Sequence, residues 1–442
     1  MLVVLLSMAI TGNAQNNITS SPYSLFGIGD PLEVNNTMGL SMGDVKYALD
    51  RPFYLNTANP ASYASLKAAT FSLGAMLNRT RTFNESTSQD NDNGTLRYFG
   101  LGIPITKKIG ISLGAKPFTS FGYGIQVSSP DQSQGATYSR YEGQGGMNII
   151  HMGMGYEVFS DSAHKFTIGS NVNYYFGNKQ QITLNNVEAI PGALNAAFIE
   201  SSVTGDFAFD FGVLYSLNIP EMFGNKSNNT SRLTFGGTYS LGTYLKTKFE
   251  SFAGSYYYNN ARLFVITDTL RYSRDTTSIY LPAKYGFGVN YEFFNRSTRS
   301  LLVLEADYEH YGWSNLKING KPSDLVNSDQ VSFGLQFVPN MDAKRAFFKT
   351  MRYRVGGRYK STRINLAGEP LKDISGSFGF GIPLVKSKSI YADASTFDFG
   401  MVVGNRGTVD NGLIREQYTN IYLGLSLSPS FWDRWFKKRK IK

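Results

Sequence analysis

The sequence predicts an all-β fold, a 14-stranded antiparallel transmembrane β-barrel, on three observations. Apolar residues alternate with small or polar ones at period two along most of the chain, the signature of strands with one greasy face. Charged residues make up only 17% of the 442 positions, while 28 Tyr, 32 Phe and 3 Trp load the apolar ones. That balance suits neither an ordinary soluble surface nor a disordered chain. Short and long connections also alternate, as they do between the two ends of bacterial outer-membrane barrels. Beyond the first eleven residues, no run approaches the ~20 apolar residues that a membrane-spanning helix needs. The lack of cysteine excludes disulfides, thiolate metal sites and a cysteine nucleophile.

Residues 1–14 read as a secretory signal peptide, with an apolar core at 2–10 and small residues at Gly12-Asn13-Ala14, although the usual basic start is missing. At the other end, Phe431-Trp432-Asp433-Arg434-Trp435-Phe436 precedes Lys437-Lys438-Arg439-Lys440. Aromatic rings followed by cations suit a membrane interface, so 431–442 is expected to be a periplasmic tail. Most of the concentrated basic charge lies in this tail, and no nucleic-acid partner is expected from the pI of about 9.3.

Between the ends, fourteen alternating segments are expected near 68–83, 95–106, 108–127, 144–159, 165–178, 205–218, 230–248, 279–294, 300–313, 329–339, 349–362, 373–383, 389–402 and 417–428. In the second and third, Phe99, Leu101, Ile103, Ile109, Ile111 and Leu113 oppose Gly100, Gly102, Gly110, Ser112 and Gly114. Most of the segments exceed the ~9–11 residues a tilted strand needs to cross a bilayer. Alternation breaks around Ala394-Ser395-Thr396, where a bulge is expected. Connections at 106–108, 160–164, 295–299 and 384–388 read as short periplasmic turns, and 179–204 and 249–278 as long outer loops. Within the first of these loops, Pro191–Ile199 reads either as a short apolar helix or as a loop packed on itself. Asp90-Asn91-Asp92-Asn93-Gly94 lacks the distal Glu of a calcium loop and reads as a hairpin loop.

Charge is placed on the inward face. Glu305, Asp307 and Glu309 oppose Leu302 and Leu304, and Arg352, Arg354, Arg358 and Lys360 oppose Met351, Tyr353 and Val355. An Arg or Lys facing lipid at the midplane costs about 2–4 kcal/mol, which turns these residues into the lumen. With one strand of small residues between them, the rows lie about 10 Å apart and are expected to meet as an acid–base ladder. Such a ladder either fills and stiffens the lumen or selects a charged permeant. Pro117, within an alternating run, marks an edge, a bulge or a break, since proline cannot donate to a ladder. Gly122 and Gly124 strengthen the expectation of a kink there. His151, His164 and His310 are too scattered for a metal site, and no cofactor is implied. Gly110-Ile111-Ser112-Leu113-Gly114 matches a nucleophile-elbow pattern, but a strand interior is the wrong setting for one. No catalytic residue is expected. A membrane-embedded hydrolase would instead need a Ser/His pair such as Ser112 and His151 within reach on one wall.

Several segments resemble one family. They are Ser21-Pro22-Tyr23-Ser24-Leu25-Phe26-Gly27-Ile28-Gly29-Asp30, Met38-Gly39, Asn56–Tyr63, Pro117–Tyr123 and Asp433–Arg439. Together they resemble the Bacteroidetes outer-membrane proteins related to the FadL/TodX hydrophobic-compound transporters. The resemblance implies a hatch of residues 15–66 inside the lumen, a barrel of 67–430, and a hatch motif at Asn59, Pro60 and Ala61. It further implies a kinked third strand with a lateral gap at Pro117, Phe118, Gly122 and Tyr123. The function expected is passive uptake of hydrophobic, fatty-acid-like small molecules across the bacterial outer membrane, with lipids and such a ligand as partners. The alternative is a scaffold of the same fold that binds other outer-membrane proteins in type IX secretion or barrel assembly.

Overall fold

The computed structural model describes residues 19, 21–33, 35–85, 87–128, 137–187, 195–219, 229–258, 264–343, 346–366, 368–384 and 395–428. The expected signal peptide and the 431–442 tail lie outside these residues.

Fourteen antiparallel strands close into a barrel. They are β1 (Thr70–Phe83), β2 (Ser88–Pro104), β3 (Ile109–Ser128), β4 (Thr137–Ser160), β5 (His164–Val187), β6 (Asn195–Ile219), β7 (Asn229–Ser240, then Thr243–Tyr258) and β8 (Phe264–Leu281, then Lys284–Asn295). They continue as β9 (Ser300–Tyr311), β10 (Ser328–Val338), β11 (Arg352–Leu366), β12 (Glu369–Pro383), β13 (Ser395–Gly407) and β14 (Arg415–Leu427). Closure is direct: β14 pairs with β1 from Arg415↔Phe83 to Leu427↔Phe71. The outward residues are the predicted apolar ones. Phe211, Phe287 and Val355 are about half exposed, leaving a greasy band for acyl chains. The inward Arg352, Arg354 and Arg358 are at most 6% exposed.

Strand boundaries depart from expectation mainly at one end of the barrel. The stretches 179–187, 195–204, 249–258 and 264–278, expected in long loops, continue β5, β6, β7 and β8. Above the bilayer neither face needs to be apolar, so alternation fades although backbone pairing continues in register from Lys179↔Ser202 to Asn185↔Ala196. The asymmetry between the two ends therefore lies in strand length. Asn195–Ile199 is strand, not helix, and 191–194 lie outside the described residues. The Asp90–Gly94 stretch is likewise strand, paired with Arg81–Leu77, and the hairpin turns at 84–87 instead. There Asn84 Oδ1 accepts from the Thr87 backbone N–H at 2.6 Å. The register of β13 runs without a shift from Thr396↔Ser426 onward, so the bulge expected at 394–396 does not form among its described residues.

An aligned row of inward glycines opens space inside the wall. Gly110 of β3 pairs with Gly155 of β4, Gly155 with Gly169 of β5, and Gly169 with Gly212 of β6. A Cβ at Gly155 would stand 2.6 Å from the Ala64 backbone nitrogen, and one at Gly212 2.8 Å from the Pro60 ring. Glycine is required at this row because another piece of the chain lies against it.

Candidate functional site

That piece is the N-terminal segment, which carries the expected hatch motif. Asn59 is fully buried and caps a short 3-10 helix, Pro60–Ser65, by accepting from the Ala61 N–H at 3.1 Å. Its amide donates to the Tyr47 carbonyl at 2.8 Å and to the Val213 carbonyl of β6 at 3.1 Å. One side chain thus ends a helix, ties two parts of the segment together and fastens both to the wall. Proline at the first helical position suits the motif, because its missing N–H has no partner to lose there.

The acidic row holds the segment rather than the basic row. Asp307 accepts from the backbone N–H groups of Lys46 at 2.5 Å and Tyr47 at 3.0 Å. Glu305 accepts from the Ala48 N–H at 3.0 Å and from Asn290 at 2.9 Å. Glu309 accepts from the Tyr47 hydroxyl and pairs with the Lys46 ammonium at 3.0 Å. The basic row turns to other carboxylates, one of them on the segment. Arg354 pairs with Asp398 at 2.6 Å and donates to Gln336 at 2.8 Å. Arg358 pairs with Glu33 at 2.9 Å and Asp373 at 3.2 Å. Arg352 is buried and Lys360 borders two cavities, while Met42 and Gly43 pass over Gly334 and Gly356 between the rows. The ladder expected across the lumen is therefore interrupted by main chain, and the two rows grip the segment from opposite sides.

Two further ion-pair groups were not legible in the alternation. Near the short turns, Asp50 meets Lys165 at 3.0 Å and Arg232 at 3.8 Å, while Glu292 meets Arg51 at 3.1 Å and Arg232 at 2.9 Å. At the opposite end, Arg406 joins Asp30 at 2.7 Å to Glu416 at 2.5 Å. Arg97 reaches Glu33 because a register shift between Gly74 and Ala75 lets both Arg97 and Tyr98 turn inward. Burial alone would raise the Glu33 carboxyl, but Arg358 and Arg97 overcome it and hold the group at about 2, against an ordinary 4.5. Burial likewise opposes Lys165 and Arg232 at Asp50, and the cations again win, keeping that carboxyl below its usual range. A depressed carboxylate contributes stability that is complete above its unfolded pKa and lost as pH falls towards the folded one. Hydrogen exchange in residues 30–50, corrected for intrinsic rates, is therefore expected to accelerate as pH drops from about 4.5 to 2 while the strands stay protected.

The third strand breaks where Pro117 stands. Strands β2 and β3 pair only from Pro104↔Gly110 to Phe99↔Ala115, although both run on well past that point. Across β4 the register of β3 shifts between Pro117 and Thr119. Beyond the shift, Phe118, Phe121, Gly122 and Tyr123 are all buried, and Gly122 is tied to Ser24, whose hydroxyl accepts from its N–H at 3.1 Å and donates to its carbonyl at 2.9 Å. Asp30 and Pro31 pair with Ser120 and Thr119, so the edge that β3 withdraws from β2 is covered by the N-terminal segment. Behind the break lies an apolar cluster that includes Ile28, Phe118, Met147, Tyr175, Leu281 and Trp313. A cavity of about 230 Å³ opens beside Ile28, Met147 and Ile279, and one of about 80 Å³ lies where Phe118 and Trp313 face Lys116 and Lys284.

Ser112 and His151 do meet, at 3.2 Å across β3 and β4, fully buried next to Tyr63. The second ring nitrogen of His151 has no hydrogen-bond partner among the described residues, and none of their carboxylates orients the imidazole as nucleophilic catalysis needs.

The family model BamG matches residues 1–442. The chain belongs to the BamG family. No curated protein matches it. Among solved structures, this BamG-family chain is similar to the Ralstonia pickettii toluene transporter TbuX, with 13% identity, a TM-score of 0.52, and coverage of 89% of this chain and 98% of that one. It is also similar to the CymD monoaromatic hydrocarbon channel, with 12% identity, a TM-score of 0.51, and coverage of 89% and 97%. A third likeness is to the Pseudomonas putida toluene transporter TodX, with 14% identity, a TM-score of 0.50, and coverage of 90% and 98%. At these identities the likeness establishes a shared fold, and it agrees with the FadL/TodX-type barrel expected from the sequence. The chemistry inside the BamG-family barrel has to be argued from its own residues.

Proposed function

We propose that this protein is a bacterial outer-membrane channel for passive uptake of hydrophobic small molecules. In this reading residues 15–66 are a hatch, and ligand leaves sideways through the break in β3. One observation carries it: wall pairing is lost beyond Phe99↔Ala115 directly in front of the apolar cluster at Phe118 and Trp313. A hydrophobic solute gains nothing from a polar, ion-paired lumen, whereas a side opening above the charges delivers it to acyl chains. The structurally similar proteins are named as toluene transporters and a monoaromatic hydrocarbon channel, which supports the same substrate class here. The cavity behind the break is lined by Lys116 and Lys284 and equally by Glu33, Asp44, Asp210 and Glu309, so its charges alone do not choose between a fatty-acid-like amphiphile and a neutral hydrocarbon.

The test is uptake of radiolabelled toluene and of a medium-chain fatty acid by whole cells with an intact outer membrane, with and without the protein. Uptake that depends on the protein supports the channel. Equal uptake in both strains removes it. A second reading, the scaffold in type IX secretion or barrel assembly, is favoured by how firmly the interior is filled, with ion-pair groups at both ends of the segment. That reading expects no transport and a stable complex with other outer-membrane proteins.

A further inference from the structure

The break in the wall leaves two strand edges, and they are treated differently. The edge of β3 is covered by Asp30 and Pro31, and the Leu32 N–H donates to the Phe118 carbonyl at 2.9 Å. The edge of β2, from Ser88 to Tyr98, pairs with β1 on one side and with no strand on the other among the described residues. An unpaired edge of this length is a template for another strand, and proteins normally blunt such edges with proline, inward charges or a cover. Among the described residues no proline, inward charge or covering strand protects Ser88–Leu96; the outward Asp90 and Asp92 and the bulge at Arg97 are its only edge features. Its inward side chains are Asn91, Asn93 and Thr95, and its outward positions are Asp90, Asp92, Gly94 and Leu96. A Cβ added at Gly94 would touch only Leu77 and the Met76 carbonyl of its own neighbour, so this stretch is open.

We propose that the free edge of β2 is a strand-addition site for an extended segment of a second protein. Three features define the chemistry of that segment. The other edge of the same break already accepts a strand, so the opening has room for one. The segment must alternate, with polar groups towards Asn91, Asn93 and Thr95 and an apolar group beside Leu96, which is 58% exposed. It should carry lysine or arginine opposite Asp90 and Asp92. Asp90 meets Arg81 at 3.2 Å and Arg79 at 3.7 Å, and Asp92 meets Arg79 at 3.6 Å, yet the two carboxylates stay 46% and 69% exposed and within reach of an added cation. Alternation with outward cations at one end is the pattern of a barrel strand where it leaves the bilayer. This inference does not rest on transport: the edge is available whether or not a solute passes beside it.

The cysteine-free chain makes the test clean. Gly94→Cys places a thiol on the free edge, and Leu77→Cys places an equally outward one on β1, which is paired on both sides. The probe is a synthetic eleven-residue peptide that alternates threonine with valine and leucine, with two outward lysines and one cysteine. Under mild oxidation of the full chain in detergent, Gly94→Cys is expected to capture the peptide while Leu77→Cys stays at background, one strand spacing of about 4.8 Å further away. Changing both peptide lysines to glutamate, which leaves the protein untouched, should weaken capture about tenfold through two cross-strand charge pairs. Equal capture at both positions, no capture at Gly94→Cys, or indifference to the peptide's charge would overturn the proposal.

Discussion

Asp307→Lys is expected to free the N-terminal segment from the lumen while leaving the barrel closed. The carboxylate it removes is buried and accepts two backbone N–H groups, from Lys46 and Tyr47. Each donor left without an acceptor costs about 1–3 kcal/mol. The new ammonium would also stand near Lys46, which is already committed to Asp44 and Glu309. Together these effects place the loss at roughly 3–5 kcal/mol, the scale found when one partner of a buried charged cluster is removed. Residues 37–66 are held by side-chain contacts and not by a strand ladder, so they open locally before the strands do. Hydrogen exchange across residues 37–66 should therefore rise by two orders of magnitude or more, at about 1.4 kcal/mol per decade, with β9 unchanged. Asp307→Asn, which keeps one acceptor, should produce a smaller change. Unaltered exchange in Asp307→Lys would mean that the acidic row does not hold the segment.

The sequence made the barrel legible because the bilayer imposes its own pattern on every strand that crosses it. Phe207, Phe209 and Phe211 against Ala208 and Asp210 can be read without coordinates, since lipid and lumen demand opposite chemistry at successive positions. Where lipid ends, that demand ends too, and Lys179–Val187 and Asn195–Thr204 were misread as loop. Pro117 announced the break, because a residue without an N–H cannot continue a ladder. The partners of the inward charges were not legible. Glu305, Asp307 and Glu309 were expected to face the lumen, but what they grip is the main chain of Lys46, Tyr47 and Ala48, and backbone donors leave no trace in a pattern of side chains. Arg97 was hidden for a different reason: one extra residue in β2 reverses its face, and a period-two reading carries no notice of such a shift.

In the proposed channel, Gly122→Phe is expected to remove most hydrophobic uptake without dismantling the barrel. Gly122 lies beyond the register shift of β3, buried, with both of its backbone groups bound to Ser24. It therefore stands where the kinked strand, the N-terminal segment and the apolar cluster come together. A phenyl ring there must either fill the passage or push β3 away from Ser24, and overpacking of this kind costs about 1–3 kcal/mol. A ring that fills the passage also raises the barrier to the solute itself, and a rise of about 1.4 kcal/mol already slows passage tenfold. Wall pairing below the break, from Pro104↔Gly110 to Phe99↔Ala115, is remote from the change and should keep the barrel resistant to detergent. Equilibrium binding of radiolabelled fatty acid to the purified protein separates the possible sites of action. Retained binding with lost uptake places the block at the exit. Loss of both would mean that the ring has entered the binding cavity itself, and uptake at the unmodified rate would show that solute does not leave beside Gly122.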